Sequence, residues 1–416
     1  MNDIDDVFAE LKKQVLETID MSGELEDEKI GDLIDEAIIN MDDRTDLSLN
    51  AKLYLKRSLF NSLRRLDILS EILDDEDVTE IMINGCNNIF IEKKGKIKRL
   101  TQTFESEERL EGIIQQIVAG CNRVVNRSTP IVDARLNDGS RVNVVLSPVS
   151  LDGAVMTIRK FPQKIMDIDK LMELGAVTKE VAVFLDMLVK ARYNIFISGG
   201  TGAGKTTFLN ALSGLIPKDE RIITIEDSAE LQLNGIENLV RMEARNANVA
   251  GENAISIRDL IKTSLRMRPD RIIVGEVRDG AAIDMLAAMN TGHDGSLSTG
   301  HANSATDMLS RLETMCLMGA ANLPILAVRQ QIASAVDIII HLGRLRDKSR
   351  KVLEICEVLD MKENQIQLNT LFRFMETGET ADSVTGRLVK VNDLYNVGKL
   401  RAAGLLSVVR EEHDAF

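Results

Sequence analysis

The residue pattern with the clearest chemical meaning is GGTGAGKTT, which runs from Gly199 to Thr207. It follows the apolar run YNIFIS and precedes FLNALSGL, so a strand, a glycine-rich loop and a helix are predicted in that order. Such glycines let backbone N–H groups turn inward around phosphate oxygens, and the helix adds its positive N-terminal dipole. The alternative is a glycine turn with no ligand.

Two side chains of this loop have defined chemical roles in the prediction. The Lys205 ammonium would lie on the β- and γ-phosphates of ATP, and the Thr206 hydroxyl would bind Mg²⁺. The residues predicted to bind the nucleotide are Gly199, Gly200, Thr201, Gly202, Ala203, Gly204, Lys205, Thr206 and Thr207.

Acidic side chains follow two other apolar runs. Glu276 ends RIIVGE, where it would bind the metal through water or polarise the attacking water. Glu226, Asp227 and Glu230 follow RIITI and are predicted to bind metal or position water. The alternatives are that Glu276 caps the next helix, and that the other three are an acidic first helical turn.

Histidines and arginines complete the candidate site. His293 and His301, two of the four histidines, lie in TGHDGSLSTGHAN. They are predicted to sense the γ-phosphate or to couple subunits, and the alternative is that they are structural. Phosphoryl transfer also needs added positive charge. The candidates are Arg135, Arg141, Arg159, Arg241 and Arg245, each of which is equally consistent with a surface salt bridge.

The patterns around these residues predict four parts. Residues 1–75 carry apolar side chains at helical spacing, which predicts a helical bundle. Residues 76–160 mix β-rich runs with one helix and predict a small α+β domain. Residues 161–175 begin with Phe161-Pro162-Gln163 and are interpreted as a linker. Residues 176–416 are predicted to form the largest domain.

In this largest domain, strand and helix patterns alternate up to about residue 340. Alternation predicts an α/β fold, with a mainly parallel sheet and helices on both faces, and ligands bind at the carboxyl ends of such strands. Past Arg344, VLEICEVLDM and QIQLNTLFRF predict two more strands. A final helix is predicted near residues 393–406.

Charge and cysteine content limit the classes of partner. The 416 residues carry a net charge of −14, and residues 1–50 hold 16 acidic against 4 basic side chains. A nucleic-acid-binding protein would show a basic surplus, so no nucleic-acid partner is expected. The acidic segment is interpreted as a docking surface or a solvated helical face. No CxxC pair occurs among the four cysteines, so no zinc site is expected.

The sequence also bears on location. No apolar run reaches the roughly 18 residues of a membrane span. The acidic start MNDIDDVFAELKK lacks the apolar core of a secretory signal. The chain is therefore expected in the cytoplasm.

In order along the chain, GGTGAGKTT, TIEDSAELQL, RPDRIIVGEVRD and MNTGHDGSLSTGHANSATDMLSRLE resemble the motifs of the secretion ATPase superfamily, which powers type II and type IV secretion and type IV pili. The resemblance covers about residues 75–400 and is closest to the CpaF/TadA-type motor of tight-adherence (Flp) pili. It implies a RecA-like P-loop NTPase domain behind a smaller N-terminal domain, with ATP between the two. It further implies a homo-hexamer that docks on a polytopic inner-membrane platform protein.

The resemblance also implies residue roles. Gly199 to Thr207 match the Walker A loop and Glu276 the Walker B glutamate. Glu226, Asp227 and Glu230 match the Asp box, His293 and His301 match the His box, and Arg135, Arg141 and Arg159 would face the phosphates. The metal ligands implied are Thr206, Glu226, Asp227 and Glu276.

Two departures from the family pattern stand out. The four-cysteine zinc module of the type II secretion and pilus-extension branches is missing, which favours the tight-adherence or traffic-ATPase branch. Gly300, beside His301, replaces a bulkier residue. The leading hypothesis is a hexameric ATPase motor for pilus assembly, with retraction as a further role. The alternatives are a type II/IV secretion traffic ATPase, a RecA-like nucleic-acid motor and a nucleotide-binding regulator that barely hydrolyses.

Overall fold

The computed structural model describes residues 2–18, 27–42, 47–93, 95–161, 166–245, 253–379 and 383–406. The chain divides into two compact units, Met1–Gln163 and Lys164–Phe416. The four-part division expected from the sequence stays a prediction. Of its linker, residues 162–165 lie outside the described residues, and a short helix occupies Ile168–Glu173.

The first unit begins with four helices, α1 (Asn2–Thr18), α2 (Asp27–Asp42), α3 (Leu49–Arg64) and α4 (Ile68–Asp74). Apolar side chains recur every three or four residues in α1–α3, so each helix has one apolar face. These faces meet in a buried cluster that includes Leu11, Ile34 and Leu59. The first three helices therefore pack around a core of their own.

An antiparallel sheet follows in the first unit. Its strands are β1 (Val78–Asn84), β2 (Ile89–Lys93), β3 (Lys96–Arg99), β4 (Ile131–Arg135), β5 (Arg141–Val145) and β6 (Val155–Arg159), in the order β3-β2-β1-β6-β5-β4. Helix α5 (Glu107–Gly120) begins after Ser106, whose hydroxyl accepts the Arg109 N–H. Leu110 and Ile114 of α5 belong to one core with Ile81 and Val144 of the sheet.

The second unit is built on a nine-stranded sheet. Its helices are α6 (Ile168–Glu173), α7 (Lys179–Lys190), α8 (Lys205–Ser213), α9 (Ile257–Ser264), α10 (Ala281–Met289), α11 (Ala305–Gly319), α12 (Ile325–Ala335) and α13 (Gly398–Ala402). Its strands are β7 (Ile195–Gly199), β8 (Ile222–Glu226), β9 (Leu239–Glu243), β10 (Arg271–Val274), β11 (Leu297–Gly300), β12 (Ile338–Arg344), β13 (Arg350–Lys362), β14 (Gln365–Glu379) and β15 (Val384–Lys390).

The strand order is β15-β14-β13-β12-β7-β11-β10-β8-β9. The strands from β12 to β9 are parallel, and β13, β14 and β15 extend the sheet as antiparallel neighbours. In β7, Ile195 and Ile197 belong to the core on one face and Phe196 to the core on the other. Burial on both faces explains the uninterrupted apolar runs of these strands. The predicted α/β fold with a mainly parallel sheet is confirmed.

The C-terminal helix is the clearest error of the sequence-based prediction. A helix was expected over residues 393–406, but α13 has five residues, and residues 407–416 lie outside the described part. The Glu357 carboxylate accepts the backbone N–H groups of Tyr395 and Asn396 at 2.9 and 2.6 Å. These contacts with β13 hold the backbone in a non-helical conformation before α13.

In the described ranges, no helix combines the length and the apolar character needed to cross a membrane.

Candidate functional site

The glycine-rich loop connects the central strand β7 to helix α8. Gly202 and Gly204 have φ values of 72° and 93°, which favour glycine. Gly199 has no room for a side chain, because a Cβ there would lie 2.7 Å from the Leu342 carbonyl oxygen of β12. The loop thus ends at Lys205, the first residue of α8, so the N-terminus of this helix lies directly beside the loop.

Lys205 is folded back onto this loop. Its side chain is buried, and Nζ donates to the carbonyl oxygens of Gly199 and Gly200 at 3.1 Å each. Nζ also lies 3.2 Å from Nδ1 and 3.4 Å from Nε2 of His301. The loop lysine and the second histidine of TGHDGSLSTGHAN, far apart in sequence, are therefore in contact.

The strand order explains this contact. The strands β7, β11 and β10 are consecutive neighbours, so the residues that follow their carboxyl ends meet at one edge of the sheet. Lys205 follows β7, His301 follows β11 and Glu276 follows β10. His301 Nε2 lies 2.9 Å from Glu276 Oε1, which gives the order Lys205, His301, Glu276 across the edge.

The partners of His301 determine its protonation. Burial lowers the pKa of His301, Lys205 acts in the same direction and Glu276 opposes both, so the ring is neutral near neutral pH. A lysine can only donate, and Nδ1 is the ring nitrogen nearer to Nζ. We therefore assign the proton to Nε2, the nitrogen next to Glu276.

Glu276 has one engaged and one available oxygen. Oε2 accepts a hydrogen bond of 2.8 Å from Arg278, whose guanidinium also lies 3.6 Å from Asp227. Oε1 is buried, and among the described residues nothing makes an aligned hydrogen bond to it, although His301 is close. A buried carboxylate oxygen of this kind is suited to accept from a water or to face a cation.

Glu226 ends β8, the neighbour of β10, and it is buried. Its Oε1 accepts the backbone N–H groups of Glu230 and Leu231 at 2.8 and 3.0 Å. Burial raises the pKa of Glu226 to about 7, against the effect of these hydrogen bonds. The carboxylate therefore holds the turn that carries Asp227 and Glu230, while the Asp227 side chain is largely exposed.

His293 is placed elsewhere. It precedes β11, whereas His301 follows it, so the two histidines lie at opposite ends of this strand. His293 Nδ1 lies 3.3 Å from the Ala288 carbonyl at the end of α10. In this unit the structure does not bring His293 to Lys205, and its assigned role stays a prediction.

Three of the candidate arginines form a row in the first unit. Arg135 pairs with Arg141 across β4 and β5, and Arg141 pairs with Arg159 across β5 and β6. Directly paired residues of antiparallel strands point to the same face, and like charges placed so destabilise a sheet. An anion bound on this face would offset that repulsion. Arg241 and Arg245 belong to the other unit, at and after β9.

The motif order along the chain has a counterpart in known families. The profile of the family described as "Type II/IV secretion system protein" matches residues 63–403. The chain belongs to this family.

Several relatives of this type II/IV secretion system protein are named for transfer systems. A putative conjugal transfer protein of Mycobacterium tuberculosis is 34% identical over 322 residues, which are 76% of this chain and 90% of the relative. Conjugal transfer protein TrbB of Rhizobium radiobacter is 33% identical over 79% of this chain and 97% of its own length. Type IV secretion system protein PtlH of Bordetella pertussis is 32% identical over 70% and 93%.

Solved structures show the same fold. The ATPase DotB of Yersinia pseudotuberculosis aligns with a TM-score of 0.51 at 18% identity, over 70% of this chain and 78% of DotB. The pilus retraction motor PilT with bound ADP aligns with a TM-score of 0.50 at 18% identity, over 84% of this chain and 89% of PilT. The predicted secretion ATPase superfamily is confirmed, while its tight-adherence branch stays a prediction.

Sequence reasoning missed some residues of the site in this family member. Arg278 lies in the quoted run RIIVGEVRD, two residues after Glu276, and its charge beside an acid was the available signal. His341 of β12 lies 3.2 Å from the Ser198 hydroxyl of β7 and had no signal in the sequence. Arg350 contacts the loop from β13 and likewise could not be found from its local pattern.

Proposed function

We propose that this type II/IV secretion system protein binds Mg-ATP at the loop from Gly199 to Thr207 and hydrolyses it to drive transport in a type IV-like secretion or conjugal-transfer system. The observation that carries the proposal is the contact series Lys205, His301, Glu276 beside that loop. It combines a phosphate-binding loop, its lysine and an acid able to act on water. The named relatives support a transfer system over the pilus motor.

In the proposed reaction, the loop N–H groups and the N-terminus of α8 bind the phosphates of ATP. The Lys205 ammonium leaves the carbonyl oxygens of Gly199 and Gly200 for the β- and γ-phosphates. The Lys205 ammonium gives up its contact with His301 at the same time. Phosphate binding therefore changes the surroundings of His301 and, through the contact between His301 and Glu276, those of Glu276.

Glu276 is proposed to accept the proton of the attacking water through Oε1, its available oxygen. Arg278 fixes the other oxygen, so the carboxylate is oriented before the nucleotide binds. The neutral His301 ring, with its proton on Nε2, keeps a donor next to Oε1 and limits the directions from which water approaches. Glu226 supports the Asp box turn from within the protein.

The donor set fits Mg²⁺. Among the described residues, no group of three or more His, Cys, Asp and Glu side chains converges as a metal site. Mg²⁺ in a nucleotide site prefers oxygen ligands, keeps several waters and uses few protein ligands besides phosphates. The Thr206 hydroxyl would hold it, with Glu276, Glu226 and Asp227 predicted to act near it. Bound Mg²⁺ would neutralise charge that develops on the transferred phosphoryl group.

The proposed assembly is a homo-hexamer in the cytoplasm, docked on a polytopic inner-membrane platform protein. The test measures nucleotide binding, ATP hydrolysis per chain against protein concentration, and mass by light scattering with Mg²⁺ and a non-hydrolysable ATP analogue. Sixfold mass and specific activity that rises with assembly are expected. A chain that does not bind ATP contradicts the proposal, and a monomer with constant specific activity contradicts the ring.

A tight-adherence pilus motor is kept as a second candidate, because the motif series resembles that branch. A source strain carrying Lys205→Ala separates the two candidates. Loss of substrate transfer with normal surface fibres would support the secretion role. Loss of fibres with normal transfer would support the pilus motor.

A further inference from the structure

A basic hairpin lies against the phosphate-binding loop. It is the turn between β12 and β13, residues 344–351, and its cations are Arg344, Arg346, Lys348, Arg350 and Lys351. Strand β12 lies beside β7, with Leu342 paired to Gly199 where the loop begins. The pairing of these two strands therefore places the basic hairpin beside the loop.

Two arginines of the basic hairpin face the glycines of the loop. The Arg350 Nε donates a hydrogen bond of 2.9 Å to the Gly202 carbonyl oxygen. A Cβ placed on Gly204 would lie 3.2 Å from Arg350 Cδ, and one placed on Gly202 would lie 3.8 Å from Arg344 Nη1. Gly204 thus leaves room for Arg350 to lie against the loop, and Arg344 lies beside Gly202.

The peptide group between Gly202 and Ala203 is hydrogen-bonded through both its carbonyl oxygen and its N–H. The Gly202 carbonyl accepts from Arg350, and the N–H of the same peptide, which belongs to Ala203, donates to the Gly200 carbonyl at 3.3 Å. Both groups of this peptide are engaged, so the turn through Gly202 has a defined plane before a nucleotide binds. A preformed loop loses less entropy on binding.

The arrangement contributes little to stability by itself. Arg344 and Arg350 are exposed, and they are direct partners across β12 and β13, where like charges repel. The hairpin is nevertheless held in place, because Asp347 accepts the backbone N–H of Ser349 at 2.9 Å and that of Val384 at 3.0 Å. A negatively charged ligand in the loop would offset the repulsion between the two guanidinium groups.

We propose that Arg350 is a positioning residue for the phosphate-binding loop, and that Arg344 beside it adds positive charge for the phosphates of the nucleotide. The inference rests on the proposed function, since it assigns two further residues to the same site. It reaches about 150 residues beyond the loop motif, to a segment without a nucleotide-binding pattern of its own.

The test compares full-length Arg350→Ala, Arg344→Ala and Arg350→Lys with the control Arg346→Ala. Arg346 belongs to the same hairpin, but its guanidinium bonds to Glu376 of β14 at 2.6 Å. The readouts are the Kd of ADP by calorimetry, kcat and KM for ATP, and the melting temperature without nucleotide. The control removes the same charge and side chain at a distance from the loop contact.

We expect Arg350→Ala to raise the Kd of ADP and the KM for ATP about five- to tenfold, as expected for one charge-assisted hydrogen bond. Arg344→Ala should raise both about threefold, and Arg350→Lys should restore part of the loss. Since a positioning role acts on binding, kcat should change less than KM. Arg346→Ala should stay within twofold of the wild type.

Two results would overturn the inference. One is a Kd and KM for Arg350→Ala within twofold of the wild type. The other is a lower kcat with unchanged KM and a lower melting temperature, since this pattern indicates a smaller folded fraction. With either result, the proposed function stands if the wild type binds and hydrolyses ATP. If the wild type binds no nucleotide, both the proposed function and this inference lose their basis.

Discussion

The side chain of Glu226 lies against the backbone of Gly275, the residue before Glu276. A Cβ on Gly275 would lie 2.9 Å from Glu226 Cγ, so the glycine makes room for the buried carboxylate. The packing places an acid with a raised pKa directly behind the acid proposed to act on water. The protonation of Glu226 therefore affects both the stability of this edge and its electrostatic field.

The raised pKa of Glu226 predicts how stability depends on pH. The pKa of Glu226 is about 7 in the folded protein, against 4.5 for an ordinary glutamate, so the stabilisation is present below about pH 4.5 and is lost as pH rises through about 7. A shift of this size corresponds to about 3 kcal/mol at most. Glu226→Gln removes this dependence and keeps an oxygen for the N–H groups of Glu230 and Leu231.

The measurement is the melting temperature of wild type and Glu226→Gln between pH 5 and 8. The melting temperature of Glu226→Gln should increase relative to that of the wild type as pH rises, with most of the change complete by about pH 8. A constant difference across this range would show that Glu226 is ionised with an ordinary pKa.

Lys205→Ala should abolish ATP binding and turnover, because it removes the only charge that the loop motif places on the phosphates. The melting temperature without nucleotide should change little. Lys190→Ala is a suitable control, since Lys190 pairs with Asp186 at 2.7 Å on the exposed side of α7. Normal turnover in Lys205→Ala would place the active site elsewhere.

Glu276→Gln should bind ATP normally and hydrolyse it about a hundredfold more slowly, because an amide cannot accept a proton from water. Single-turnover kinetics measure the chemical step directly. Glu180→Gln, an exposed change at the start of α7, controls for the loss of one charge. Unchanged hydrolysis would make Glu276 structural and Glu230 the better candidate.

The backbones of Gly280 and Gly319 are in contact where α10 begins and α11 ends. A Cβ on Gly280 would lie 2.5 Å from Gly319 Cα, and a backbone atom cannot move aside as a side chain can. Gly280→Ala should therefore cost about 1–3 kcal/mol of unfolding free energy. Urea unfolding of the full-length protein measures it.

Gly31→Ala is the matched comparison for this prediction. Gly31 lies inside α2, and a Cβ there meets nothing within 4 Å. The substitution should stabilise the protein by about 0.5–1 kcal/mol, since alanine has the higher helix propensity. Equal effects of both variants would contradict the packing argument.

Much of the fold could be predicted because local pattern and tertiary environment agree. The apolar runs around Ile195, Ile222 and Ile272 predict strands buried on both faces, and that is their environment. The order of these strands was not predictable, since neighbours in the sheet are distant in sequence. The end of the chain was mispredicted because Glu357, in a distant strand, competes with the helix for the N–H groups of Tyr395 and Asn396.

The candidate site was predictable where a motif encodes the chemistry. Lys205 and Glu276 follow recognisable strands, and His301 could be proposed but not placed. His293 and His301 are separated because β11 lies between them, and the pattern TGHDGSLSTGHAN does not define the bounds of that strand. The packing around position 300 explains why it is a glycine, because a Cβ there would lie 2.9 Å from Met308 Cε.

The position of β7 also has a consequence for biosynthesis. Its two sheet neighbours, β11 and β12, begin at Leu297 and Ile338, about 100 and 140 residues later in the chain. During translation, β7 is therefore made long before either neighbour. Until they are made, it is an apolar strand with two unpaired edges, which can aggregate. Ribosome-bound chains that end before Leu297 should consequently be the ones that depend most on chaperones.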